Sequence, residues 1–188
     1  MKKTIHILAA LAFVALFITA CQKDYVEPNG LLKGFSFESD PVQFSPLSLS
    51  SDSYTHEWTT QDAFDGERSL RITSTSLNNQ SFASWWHTYT AFERGEPFKV
   101  RVRAKTVGFG TGGGIQLNMF GRNADRSEIV ARGIGQTIES TNEEWQTIEV
   151  ALETNPSETL ATIDIYFLML EGSRGAVYWD KLEIFTGE

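Results

Sequence analysis

Residues Phe98 to Val107, FKVRVRAKTV, alternate without a fault: Phe98, Val100, Val102 and Ala104 fall on one side, and Lys99, Arg101, Arg103 and Lys105 on the other. Successive side chains point to opposite faces only on a strand, so this run is a half-buried strand and not a helix. From Gly34 onward the same period of two returns between clusters of turn residues, and no stretch sustains a 3.6-residue period. The runs expected as strands are Gly34 to Glu38, Ser69 to Ser74, Phe82 to Tyr89, Phe98 to Val107, Gly114 to Arg122, Ile129 to Thr137, Trp145 to Glu153, Ala161 to Leu170 and Ala176 to Phe185. Nine short strands with hairpin-length connections predict an all-β chain folded as a single-domain β-sandwich. Residues 39–68, rich in Ser, Thr, Asp and Pro, read as a long irregular segment with room for a short strand at Trp58.

The last of these runs contains one discordant residue. In GAVYWDKLEIF, Tyr178, Asp180, Leu182 and Ile184 share a side, and Val177, Trp179, Lys181, Glu183 and Phe185 share the other. With Leu182 and Ile184 turned to the core, Asp180 also points inward. A buried carboxylate needs a cation, a metal or several hydrogen bonds. Asp180 is therefore expected at a bound ion or at a stapling hydrogen-bond network.

The 188 residues are 41% hydrophobic, enough for one well-packed domain and too few for two ordinary ones. The formal charge is −8; without residues 1–20, which carry Lys2 and Lys3 and no acid, 14 basic residues face 24 acidic ones. This balance argues against nucleic acid as a partner. The front end pairs a basic start with an apolar run from Ile7 to Ile18, followed by Ile18-Thr19-Ala20-Cys21. It resembles a bacterial lipobox. Residues 1–20 are thus expected as a lipoprotein signal peptide, with Cys21, the only cysteine, as the lipid-accepting first mature residue. Residues 21–33 then read as a flexible tether to a membrane and 34–188 as the folded domain. Gln22-Lys23-Asp24 resembles the short signals that direct some lipoproteins to the outer face of the outer membrane. A lone cysteine allows no intramolecular disulfide.

Five segments occur in an order that resembles the galactose-binding-like jelly rolls: Gly34-Phe35-Ser36-Phe37-Glu38, Gly66-Glu67-Arg68-Ser69-Leu70-Arg71-Ile72, Arg94-Gly95-Glu96-Pro97-Phe98, Glu144-Trp145-Gln146 and Val177-Tyr178-Trp179-Asp180-Lys181-Leu182. Within that group the chain is most similar to the carbohydrate-binding modules attached to xylanases and laminarinases, over residues 34–185. The resemblance implies a structural calcium between the first and last strands. Its ligands would be Glu38 and Asp180, with backbone oxygens of Ser36 and Arg68. Calcium takes six to eight hard oxygen ligands, which suits such a set.

Trp85, Trp86, His87 and Tyr89 form the densest aromatic cluster. On a strand Trp85, His87 and Tyr89 share one face and Trp86 the other, so one set is core and the other faces out. Sugar rings stack their C–H faces on aromatic rings and offer hydroxyls to amides and guanidinium groups, which makes an exposed aromatic beside such groups the expected binding surface. The resemblance places the stacking residue at Trp85 or Trp86. Gln116 and Asn118 are candidate hydrogen-bonding partners. Arg101 and Arg103 are candidates to hold sugar hydroxyls or a uronic carboxylate, against the plainer reading of a solvated face paired with neighbouring acids.

Gly108-Phe109-Gly110-Thr111-Gly112-Gly113 satisfies G-x-G-x-x-G, but an alternating strand follows it. No helix N-terminus is there to hold a pyrophosphate, and a glycine-rich hairpin is expected instead. His6 lies in the expected signal peptide, and His56 and His87 lack metal-ligand spacing. No nucleophile elbow occurs. The sequence thus predicts a calcium-stabilised, lipid-anchored outer-membrane domain that binds a polysaccharide without cleaving it. Two alternatives stand beside it: an adhesion lipoprotein holding a protein partner, and a small jelly-roll glycoside hydrolase or lyase.

Overall fold

A computed structural model describes residues 29–39, 43–48, 53–76, 78, 80–110 and 112–187. Cys21, the expected signal peptide and most of the expected tether lie outside them. The described strands are β1 (Leu31–Phe35), β2 (Ser45–Ser48), β3 (Tyr54–Thr59), β4 (Ser69–Ser74), β5 (Ala83–Tyr89), β6 (Phe98–Val107), β7 (Ile115–Arg122), β8 (Ile129–Ile134), β9 (Gln146–Ala151), β10 (Thr162–Met169) and β11 (Gly175–Thr186). They form two antiparallel sheets. The back sheet has six strands in the order β3-β4-β11-β6-β9, with β1 also paired to β11, and the front sheet has five in the order β2-β5-β10-β7-β8. The all-β sandwich expected from the alternation is the architecture found.

Alternation places the core between the sheets. In β6 the apolar set Phe98, Val100, Val102 and Ala104 is buried, at most 1% exposed, while the cations between them are half-buried. In β10, Ile163, Ile165, Phe167 and Met169 face inward in the same way, all fully buried. The two layers meet at Trp179 of β11 and Phe167 of β10, whose rings lie 5.5 Å apart at 21°. Fully buried aromatic and aliphatic side chains fill this space together, and their burial stabilises the sandwich by about 25 cal/mol per Å² of apolar surface.

Three expectations need correction. First, β11 changes phase. Asp180 stands opposite Arg103 and Glu183 opposite Arg101, so β11 carries one extra residue there, with Lys181 at φ 48°. A bulge of this kind lets Trp179 and Leu182, three residues apart, both enter the core. Asp180 therefore does not share a side with Leu182 and Ile184; it is fully buried on the outer face of the back sheet, under residues 60–68. Secondly, the 39–68 segment holds two strands, β2 and β3. The remainder of it that packs, residues 60–68, is irregular as expected, yet pinned. Ser69 Oγ donates to the Asp62 carbonyl at 2.5 Å, Lys105 pairs with Asp62 at 2.7 Å, and Arg68 lies 4.1 Å over the Trp58 ring. Thirdly, residues 108–114 join β6 of the back sheet to β7 of the front sheet, so they form a crossover and not a hairpin. In addition, β1 begins at Leu31, three residues before the expected domain start, and pairs Leu31 with Phe185.

Candidate functional site on the front sheet

The eight anticipated ligand contacts separate into three groups. Trp85, His87 and Tyr89 belong to the core face of β5, at 6%, 8% and 8% exposure. Trp85 Nε1 donates to the Arg71 carbonyl at 3.1 Å. His87 packs on Phe44 with centroids 4.9 Å apart, and its Nδ1 lies 2.8 Å from the Gln43 carbonyl oxygen. Burial lowers the His87 pKa, with the Gln43 bond opposing, so the core holds a neutral imidazole. These three residues are not placed to meet a ligand.

Arg101 and Arg103 lie on the opposite surface of the molecule. Arg101 donates from Nε and Nη2 to Glu149 at 3.0 and 2.9 Å and covers the Phe185 ring at 5.1 Å. Arg103 hydrogen bonds Thr147 and lies 4.6 Å over the ring of Phe64, which reaches it from the 60–68 loop. The cationic row of β6 is a paired surface partly roofed by a loop, and the structure offers no sugar groove there.

Trp86, Gln116 and Asn118 do come together. β10 lies between β5 and β7, so Trp86 pairs with Tyr166 and Tyr166 with Asn118, all on the outer face of the front sheet. The Trp86 and Tyr166 rings are nearly parallel, 14° apart with centroids 6.0 Å apart. Phe120 meets Tyr166 edge-on at 5.7 Å. All three rings are half-buried, which gives an aromatic row running across three strands. Ile134 of the edge strand β8, beside Asn118, is 49% exposed. The amides beside the row are held in place: Asn118 Nδ2 donates to Gln116 Oε1 at 3.0 Å, Gln116 Nε2 donates to the Gly135 carbonyl at 2.8 Å, and the Gly135 N–H donates to Asn118 Oδ1 at 3.2 Å. An aromatic platform with fixed amides suits stacking and hydroxyl recognition together.

A second row, Thr88, Asp164, Phe120 and Arg132, runs beside the first. Asp164 is fully buried at its floor and accepts four hydrogen bonds: Thr88 Oγ1 at 2.8 Å, Arg122 Nε at 2.9 Å, and Arg126 Nη2 at 2.9 and 2.8 Å. Burial, then the charge of Asp164, raises the Tyr166 hydroxyl pKa, so the ring keeps its proton and its donor. Tyr166, Phe120, Asp164 and Arg122 are not among the residues that the sequence singles out. Their alternation is plain in the sequence, but only the strand order brings β5, β10 and β7 side by side.

The two acids of the implied calcium set are engaged by backbone N–H groups. Asp180 Oδ2 accepts the N–H groups of Phe64 and Asp65 at 2.7 and 2.9 Å, and its Oδ1 accepts that of Lys181 at 2.7 Å. The Glu38 carboxylate takes the Glu67 and Arg68 N–H groups, all at 3.0 Å. Both acids therefore face N–H donors, and they grip different stretches of one loop. Among the described residues no group of three or more His, Cys, Asp or Glu is arranged to hold a metal ion. Of the two acids, Asp180 is the hydrogen-bond staple that its burial required.

Two small clefts flank β1, one lined by Lys33, Phe35 and Gln43 among others, the second by Ser36, Asp65, Lys181 and Glu183. In the first, Phe37 and Phe44 are buried, and half-buried Phe35 is the one ring that both clefts share, against the row of three on the front sheet.

No protein-family model and no curated protein matches the sequence. Solved structures do match the fold. The CBM22-1 xylan-binding domain from Paenibacillus barcinonensis Xyn10C superposes with a TM-score of 0.62 at 14% identity, covering 86% of this chain and 97% of that one. The C-terminal family 22 carbohydrate-binding module of Clostridium thermocellum Xyn10B gives 0.59 at 12%, covering 86% and 96%. A structure described as showing promiscuous specificity in carbohydrate-binding modules of the β-sandwich superfamily gives 0.57 at 22%, covering 82% and 61%. The chain has the jelly-roll fold of these modules.

Proposed function

We propose that this chain is a non-catalytic polysaccharide-binding domain whose ligand lies along the outer face of the front sheet. The row Trp86-Tyr166-Phe120 carries this reading: three half-buried rings beside fixed amide groups match a sugar chain, with its apolar ring faces and hydroxyl edges. The fold likeness to a domain described as xylan-binding and to a carbohydrate-binding module supports it. Hydrolysis would need two available carboxylates flanking a scissile bond. Asp164, at the floor of the face, has its oxygens occupied by four donors. Lipidation at Cys21 and anchoring to the outer membrane, supported by the lipobox-like sequence, would hold this face near the cell surface.

The test is an affinity-gel and calorimetric screen of the full chain against soluble polysaccharides, repeated with Trp86→Ala and Tyr166→Ala. Retardation by a glycan that both substitutions abolish supports the proposal. A folded wild-type chain retarded by none overturns it. Exposed Ile134 favours one second reading, a protein partner seated at the β8 edge, and Ile134→Asp would weaken such a complex while sparing glycan binding.

A further inference from the structure

Arg122 and Arg126 reach the same buried carboxylate from different elements. Arg122 ends β7, while Arg126 belongs to the hairpin that follows it. The hairpin is built to turn Arg126 back: its N–H donates to the Asn123 carbonyl at 3.0 Å, the Glu128 N–H donates to Asn123 Oδ1 at 3.1 Å, and Arg126 itself sits at φ 62°. A left-handed backbone at a residue with a Cβ costs about 1 kcal/mol, and it persists where the surroundings hold it. Here the surroundings are the two Nη2 bonds to Asp164.

Burying Asp164 and filling all four of its acceptor sites withholds this carboxylate from a ligand and leaves the two guanidinium groups as donors at this end of the face. The guanidinium groups stay in reach of solvent, the Arg122 side chain 25% and the Arg126 side chain 42% exposed, while their orientation is fixed. Two cations on one anion leave a net positive charge at Asp164, and exposed Arg132 stands in the same row, while Asp125 and exposed Glu128 add two carboxylates on the adjoining hairpin. Asp125, the acid of this hairpin nearest Arg126 in sequence, is engaged by the Ser127 N–H and hydroxyl at 3.1 and 2.6 Å. The chain as a whole carries −8, so a rigid cationic donor site at the end of the aromatic row is locally selective against its own background.

We infer that Arg122 and Arg126, clamped on Asp164, read an anionic group on the bound glycan, so that the preferred ligand is an acidic polysaccharide. Rigid guanidinium forks match carboxylates and sulfate esters in shape and charge. This inference rests on the polysaccharide reading above. Asp164 acts as a positioning residue: it has no free acceptor for ligand and sets the angle of both arginines.

The experiment is isothermal titration of the full chain with three oligosaccharide series of matched length: neutral, uronate-bearing and sulfated. The wild type should bind one acidic series about tenfold more tightly than the neutral one. Arg126→Gln, at a half-exposed side chain, should remove that preference and leave neutral binding intact, and Arg122→Gln should also remove the preference. Asp164→Asn should lose the preference with both arginines present; if it unfolds, the two glutamine variants still decide. The uronate and sulfate arms distinguish the two sources of charge. Equal affinity for neutral and acidic glycans, with Trp86→Ala abolishing both, overturns the inference and leaves the polysaccharide reading standing. Binding to no series overturns both.

Discussion

Trp86 of β5 and Tyr166 of β10 face each other across neighbouring strands, with ring planes 14° apart and centroids 6.0 Å apart, while Trp85, the next residue in the chain, is buried in the core at 6% exposure. One peptide bond thus separates a residue of the surface from a residue of the interior. Trp86→Ala should weaken polysaccharide binding by about 2 kcal/mol, roughly thirtyfold, with little change in melting temperature. Trp85→Ala should cost about 3–5 kcal/mol of stability. Paired melting and titration curves check both, and a destabilised Trp86→Ala with full affinity would contradict the assignment.

Chelation should leave the domain unmoved. Glu38 and Asp180 hold the 64–68 loop through backbone N–H groups, so melting curves with and without EDTA should coincide. A marked drop with EDTA, restored by calcium, would show that the loop is metal-held after all.

Gly66 lies against the carboxylate that grips its turn. It has φ +76°, and a Cβ there would stand 2.4 Å from Glu38 Cδ. Gly66→Ala should therefore lower stability by about 2 kcal/mol, combining a left-handed backbone with displacement of the Glu38 side chain. Glu38→Ala in the Gly66→Ala background should recover part of the loss, which a double-mutant cycle on chemical denaturation measures.

Burial pushes the Asp180 carboxyl from its usual 3.8 up to about 7, against the N–H groups that pull it down. The folded chain then keeps this proton between about pH 4 and 7, where the unfolded chain has lost it. The group's contribution is present at acid pH and is lost as pH rises through that window, at about 1.4 kcal/mol for each pH unit crossed. Glu183, also raised to about 7 by burial, acts in the same direction, while His56 and His87, lowered by burial, act oppositely as pH falls below about 6.5. Comparison with Asp180→Asn isolates the effect. The wild type should lose ground to this variant as pH rises from about 5 to about 8, and parallel melting profiles would refute the raised carboxyl.

Much of the fold is legible because a half-buried strand writes its two faces into alternate residues. Residues Ser69 to Ser74 and Phe98 to Val107 coincide with β4 and β6 to the residue. β2 is not visible in this way, because Ser45-Pro46-Leu47-Ser48 is an edge strand with little apolar contrast. The site is legible in part for a different reason. Alternation says that Trp85 and Trp86 part company, but which one faces water depends on which side the opposite sheet covers. The resemblance likewise points to Glu38 and Asp180 as ligands, whereas the N–H groups that saturate them come from loop geometry. Asp164 is silent in the sequence because an acid within a run of Ile, Tyr and Phe gives no sign of the two arginines that reach it from β7 and its hairpin.

The extra residue at Lys181 works like a spatial frame shift. Before it, odd-numbered positions of β11 look inward; after it, even-numbered ones do. Deleting Lys181 would put the two halves of β11 into one reading frame, in which Val177, Trp179, Leu182 and Ile184 all share one side of a regular strand. A single-codon deletion at this position therefore removes the bulge and keeps the core side chains in phase, whereas deletion of Tyr178 or Glu183 would turn part of the strand inside out.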